Sequence, residues 1–197
     1  RKIKFTKDII LEKTKEFINK YGIEKMNARD LSKFIGCSTQ PLFKNFQSMD
    51  EFKSQLKTYL HNYYDEFIYK FVDKNNYLYT ISYAYALFSY KEPNIFKALF
   101  MSDLAGSRTI QEVFNSPQNI DTIKSIPIQY NLSVKQAEQL YRDVRFYTHG
   151  LSCQIACRSI ILEKNEIKYQ VSELGKVDIG GGGTIAYILA NKGTDVI

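Results

Sequence analysis

The stretch Asn27-Ala28-Arg29-Asp30-Leu31-Ser32-Lys33-Phe34-Ile35-Gly36-Cys37-Ser38-Thr39-Gln40-Pro41-Leu42-Phe43-Lys44-Asn45-Phe46 decides the reading of this chain. Asn27 is a helix-opening residue, and Asp30 three positions later favours the positive end of that helix. Gly36 supplies a tight turn, because glycine tolerates positive φ. Ser38 opens a second short helix, with Pro41 in its first turn, where a missing N–H removes no intrahelical bond. Leu31, Phe34, Leu42 and Phe46 are spaced to pack the two helices together and against Phe17 and Ile18. That leaves Ser38, Thr39, Gln40, Phe43, Lys44 and Asn45 on the outer side. The pattern predicts a helix-turn-helix whose second helix presents hydrogen-bonding groups to a DNA groove. A solvated helical hairpin is its bland counterpart.

Charge placement weighs between the two. The 197 residues carry a net +6, and residues 1–60 hold 13 Lys/Arg against 7 Asp/Glu. The remaining residues hold 14 of each, so the whole excess lies in the segment with the turn pattern. A basic head on a neutral body suits counterion release from phosphates on one face.

Working outward, helical period dominates to about residue 170. Ile10, Thr14, Phe17, Ile18 and Tyr21 form one apolar stripe between an N-cap at Thr6 and a stop at Gly22. Ser48-Met49-Asp50-Glu51 reads as a capping box, followed by Phe52, Leu56, Tyr59, Leu60, Tyr63 and Phe67 at helical spacing. Further helices are predicted at about 77–90, 94–104, 107–115, 118–126, 133–148 and 149–164, with Pro93, Pro117 and Pro127 at or near the breaks. The expected fold class is all-α: an N-terminal helix-turn-helix domain at 1–48, a helical dimerisation and ligand-binding bundle at 49–171, and a glycine-rich tail at 172–197.

The apolar runs are far shorter than the roughly 20 residues that span a bilayer, so no membrane partner is expected. No basic-then-apolar leader opens the chain, and the three cysteines fit no zinc spacing, so a reducing cytoplasm is the expected setting.

Residues 3–60 resemble the N-terminal domain of TetR-type transcriptional regulators. The likeness runs in order through Tyr21-Gly22, Ile23 to Leu31, Gly36-Cys37-Ser38, Pro41 to Phe46 and Ser48 to Phe52. It implies a homodimer that binds a palindromic double-stranded DNA operator and is released by a small-molecule inducer. Position by position, it implies phosphate contacts at Asn27, Arg29, Phe43, Asn45 and Lys53, and base or groove contacts at Thr39, Gln40 and Lys44, with Ser38 beside them. Gln40 suits adenine, Lys44 guanine, and Thr39 a thymine methyl or a phosphate. The family usually carries Tyr at position 43 and His at position 45. Phe43 has no hydroxyl for a phosphate, whereas Asn45 still has an amide to donate.

Nine of the fifteen tyrosines lie between Tyr59 and Tyr90. Rings with one polar end suit a partly wet cavity, and Tyr83, Phe88, Tyr141, Phe146 and Tyr147 are the expected walls; a tyrosine-rich core is the alternative. Tyr147-Thr148-His149-Gly150-Leu151 resembles an aromatic-x-His-Gly-Leu element near the dimer interface in one branch of the same family. His149, Cys153 and Cys157 follow at intervals of four, but ligands stacked along one helix cannot all converge on one ion, since each turn advances about 5.4 Å. No catalytic constellation, metal or cofactor is expected.

Ser172 to Ala186, with Gly180-Gly181-Gly182-Gly183 at its centre, resembles a glycine-rich segment of dinuclear-zinc aminopeptidases of the aspartyl-aminopeptidase type. Two histidines in the whole chain cannot furnish such a site. The sequence therefore reads as a DNA-binding repressor, not an enzyme. A helical protein-interaction module and a fragment of a zinc-dependent hydrolase are the alternatives.

Overall fold

Helix-end chemistry sets where the elements begin in the computed structural model, which describes residues 5–173. The Ile9 N–H donates to Thr6 Oγ1 at 3.3 Å and opens α1 (Lys7–Tyr21). Gly22, at φ 85°, closes it by donating its N–H to the Ile18 carbonyl. Asn27 Oδ1 accepts from the Asp30 N–H at 2.9 Å and opens α2 (Ala28–Ile35). Gly36 then takes the left-handed conformation, φ 81° and ψ 34°, that ends α2 without a Cβ clash. The next helix, α3 (Gln40–Asn45), starts one residue later than the sequence predicts, with Thr39 as N-cap and Pro41 in the first turn.

The remaining elements are α4 (Met49–Tyr69), α5 (Tyr77–Lys91), α6 (Pro93–Phe100), α7 (Ile110–Phe114), α8 (Pro117–Tyr130), α9 (Val134–Ala156) and α10 (Lys164–Glu173). Three single turns of 3₁₀ helix lie at Ile23–Lys25, Lys74–Asn76 and Asp103–Ala105. No strand occurs among the described residues, and the fold class is all-α.

Two compact units divide the chain. One is built up to Glu66 and from Lys91–Gly106; the other comprises Phe67–Tyr90 and the described residues from Ser107 onward. The first is larger than the predicted 1–48 segment, which it contains. Its core joins Ile10, Phe17, Ile18, Leu31, Leu42 and Phe46 with Phe52, Leu56 and Leu60 of α4 and Ile95, Phe96 and Leu99 of α6, all buried. Phe34 is half-buried and meets Phe17 edge-on at 5.5 Å. Glu92, before α6, accepts from Asn19 Nδ2 at 2.9 Å and from the Tyr63 hydroxyl at 2.8 Å.

The core of the second unit gathers Leu78, Tyr79 and Ala86 of α5, Ile126 of α8, and Ala137, Leu140, Tyr141, Val144, Leu151 and Ile155 of α9, with Ile167 and Val171 of α10.

Three predicted boundaries are corrected. Pro127 lies inside α8, which runs on to Tyr130 and ends where Asn131 adopts φ 53°. The break placed at 148/149 is absent: α9 is continuous, because Thr148, Leu151, Ser152 and Ile155 keep one buried stripe through it. It stops at Cys157, and Arg158 at φ 56° turns the chain toward α10, so the helix predicted at 149–164 does not form as one element. The tail's glycine run and its predicted last helix at 184–191 lie outside the described residues.

Candidate functional site

The surface of α3 is partitioned by helical period. Leu42 and Phe46 are buried, while Gln40, Phe43 and Lys44 are exposed at i, i+3 and i+4, which places them on one outer face. Ser38 in the turn is exposed and Thr39 half-buried. On α2, Arg29 and Lys33 repeat the i, i+4 spacing and are exposed, as is Lys53 on α4. None of Arg29, Lys33, Lys44 and Lys53 is held in an ion pair among the described residues. Each ammonium or guanidinium can therefore meet an external anion without breaking an internal partnership. Lys33 was not among the residues singled out from sequence; its i, i+4 spacing from Arg29 was the available signal.

Two polar residues also bond within the fold. Asn27 caps α2 through Oδ1, while its Nδ2 donates to Asp30 Oδ2 at 2.7 Å. Asn45 Nδ2 donates to the Pro41 carbonyl at 2.7 Å and to the Phe5 carbonyl at 3.0 Å. Both amide hydrogens of Asn45 are thus occupied, tying the end of α3 to the residue two positions before α1. Phe43 is 51% exposed, a ring offered outward with no polar tip.

The start of α4 sets the position of Lys53. Ser48 Oγ accepts from the Glu51 N–H at 3.1 Å, and the Glu51 carboxylate accepts from the Gln47 N–H at 2.6 Å and from Lys7 Nζ at 3.2 Å. The bonds from the Gln47 N–H, foremost, and from Lys7 lower the Glu51 pKa.

In the second unit the five aromatic residues predicted as cavity walls separate. Phe88 is fully buried against Phe67 at 5.2 Å. Tyr141 is in the core, and Tyr83 packs on it, parallel to Tyr79 at 6.4 Å. Phe114 bridges Tyr141 at 5.6 Å and Phe146 at 6.5 Å. Phe146 and Tyr147 are 53% and 46% exposed. Burial pushes the Tyr79 and Tyr130 hydroxyls up to about 12, so they act as neutral phenols.

Sequence reasoning also missed a three-residue chain across α5 and α9. The Tyr85 hydroxyl lies 2.8 Å from His149 Nδ1, and His149 Nε2 lies 3.5 Å from Cys153 Sγ. The spacing of His149 and Cys153 was visible in the sequence; the arrival of Tyr85 from α5 was not.

No family model matches the chain. A 37-residue stretch is 65% identical to a probable M18 family aminopeptidase 1 of Clostridium acetobutylicum, covering 19% of this chain and 8% of that protein. The corresponding protein of Thermotoga maritima is 54% identical over 37 residues, again 19% and 8%. The chain thus spans about 8% of the length of the curated relatives it matches, and the likeness is local. Among the described residues no group of three or more His, Cys, Asp or Glu side chains is arranged to hold a metal ion. No described helix is long and apolar enough to cross a membrane.

Proposed function

We propose that this chain is a DNA-binding transcriptional regulator, a homodimeric repressor released from a palindromic operator by a small-molecule inducer. The observation that carries this reading is the division of α3. Its inner side, Leu42 and Phe46, is anchored in a core, and its outer side presents Gln40, Phe43 and Lys44, while Arg29 and Lys33 of α2 and Lys53 of α4 are exposed and in no ion pair among the described residues.

In this reading Lys44 and Gln40 meet base edges, while Arg29, Lys33 and Lys53 meet phosphates and fix the register. Asn27 and Asn45 serve by holding α2 and α3 in place. Phe43 makes van der Waals contact with the backbone of the duplex. Dimerisation sets two such helices in successive major grooves, about 34–36 Å apart. The exposed Phe146 and Tyr147 on α9 support a second copy packing there. An inducer among the α5 and α9 aromatics, with Tyr83, Phe88 and Tyr141 nearest the core, would shift the population toward a mismatched separation. Its effect is limited to its differential affinity for the two states.

Fluorescence anisotropy on duplex DNA from upstream of the chain's own gene, at several salt concentrations, tests the reading. Binding should weaken steeply with salt, and Gln40→Ala and Lys44→Ala should each lose about 5- to 100-fold, with helicity intact, on the scale of about 1–3 kcal/mol per base contact. Absence of salt-dependent binding would leave the helical interaction module as the better account.

A further inference from the structure

His149 and Cys153 lie one turn apart on α9, and their donor atoms face each other across 3.5 Å. The spacing is informative because it can be compared with the edge of a coordination polyhedron. Zinc sits about 2.0–2.1 Å from a histidine nitrogen and about 2.3 Å from a thiolate sulfur. An ion at those distances subtends roughly 107° across a 3.5 Å edge, close to the tetrahedral angle.

The second ring nitrogen meets an oxygen, as in metal-bound imidazoles: the Tyr85 hydroxyl lies 2.8 Å from Nδ1, and the tautomer protonated at Nδ1 donates to Tyr85 Oη and turns Nε2 toward Cys153 as an acceptor. Arg145 is held one turn away, its guanidinium donating to Tyr141 Oη at 3.4 Å and to Asn119 Oδ1 at 3.5 Å. Cys153 is half-buried, reachable from solvent yet partly shielded from it.

Cys157 does not belong to this edge. It lies eight residues beyond His149, about 12 Å along the helix axis. Removing it from the set resolves the objection that three ligands along one helix cannot converge.

We infer that His149 Nε2 and Cys153 Sγ chelate a tetrahedral divalent ion of the zinc class, one per chain, with Tyr85 as the outer-shell acceptor and water in the two remaining positions. On binding, the thiol proton leaves to solvent and the ion takes its place between sulfur and nitrogen. None of these residues belongs to α3, and the test does not depend on DNA binding.

Cobalt(II) titrated into the full reduced chain should give a thiolate-to-cobalt charge-transfer band and strong visible bands of tetrahedral cobalt, saturating at one ion per chain and bleached by zinc. Cys153→Ser should abolish the charge-transfer band and His149→Gln should weaken binding at least 10-fold, with helicity unchanged by circular dichroism. Tyr85→Phe, which keeps the ring and removes the acceptor, should keep the spectrum and weaken binding about 10- to 100-fold. Cys157→Ser should bind as the parent does. A missing charge-transfer band, or one that disappears with Cys157→Ser and survives Cys153→Ser, would overturn the assignment.

Discussion

Leu42 and Lys44 are two residues apart on α3 and answer to different requirements. Leu42 is 3% exposed, so Leu42→Ala should cost about 2–5 kcal/mol through lost burial and a residual cavity, read as a lower urea midpoint. Lys44→Ala, on the exposed side, should move stability by less than about 0.5 kcal/mol while weakening DNA binding. Phe43→Tyr adds a hydroxyl to a ring already turned outward. It should tighten binding to the same duplex about 2- to 10-fold, the net worth of one hydrogen bond. The sequence made the exposed side of α3 legible because burial follows period. It could not show that Asn45 spends both amide hydrogens on carbonyls of Pro41 and Phe5, since the second partner is forty residues away.

At the scale of elements, the caps were legible and some of the stops were not. Thr6, Asn27 and Ser48, each named from sequence, accept the N–H bond that a helix start requires. Pro127 is expected at or near a break, yet α8 continues for one more turn and its end is set by Asn131. The sequence reading ends one helix at 148 and starts another at 149, yet buried Thr148 and Leu151 on either side carry α9 through that point. A Cβ on Gly150 would meet no atom within 4 Å. Gly150→Ala should therefore stabilise the chain by about 0.5–1 kcal/mol, seen as a higher melting temperature. The start of α4 carries a pH dependence. The Glu51 carboxyl is acidified in the folded state by the Gln47 N–H and Lys7, so its stabilising effect is complete above the ordinary carboxylate range. That effect is lost as pH falls through the lowered folded value. Glu51→Gln should flatten the acid side of a stability-against-pH curve measured by urea unfolding.

For the whole molecule, the charge asymmetry is sharper along the chain than between the two units. The unit that contains α3 holds 15 Lys/Arg against 11 Asp/Glu, because residues 61–66 and 91–106 add Asp65, Glu66, Glu92 and Asp103. The excess belongs to the N-terminal helices rather than to the unit as a body. If phosphate contacts dominate affinity, removing Arg29 and Lys53 together should reduce the slope of log K against log salt by about 2. All-α architecture was legible from period alone. The division into units was not, because Lys91–Gly106 joins the N-terminal helices through packing that no local pattern announces.

The way α3 is held has a consequence for how such a protein changes over time. Leu42, Asn45 and Phe46 fasten the helix, whereas Ser38, Gln40, Phe43 and Lys44 are exposed. The outward letters can be rewritten as a set while the inward ones stay fixed. Under the proposed function, recognition can therefore drift from one target to another through a series of folded intermediates, each step selected on what it binds and none rejected for failing to fold.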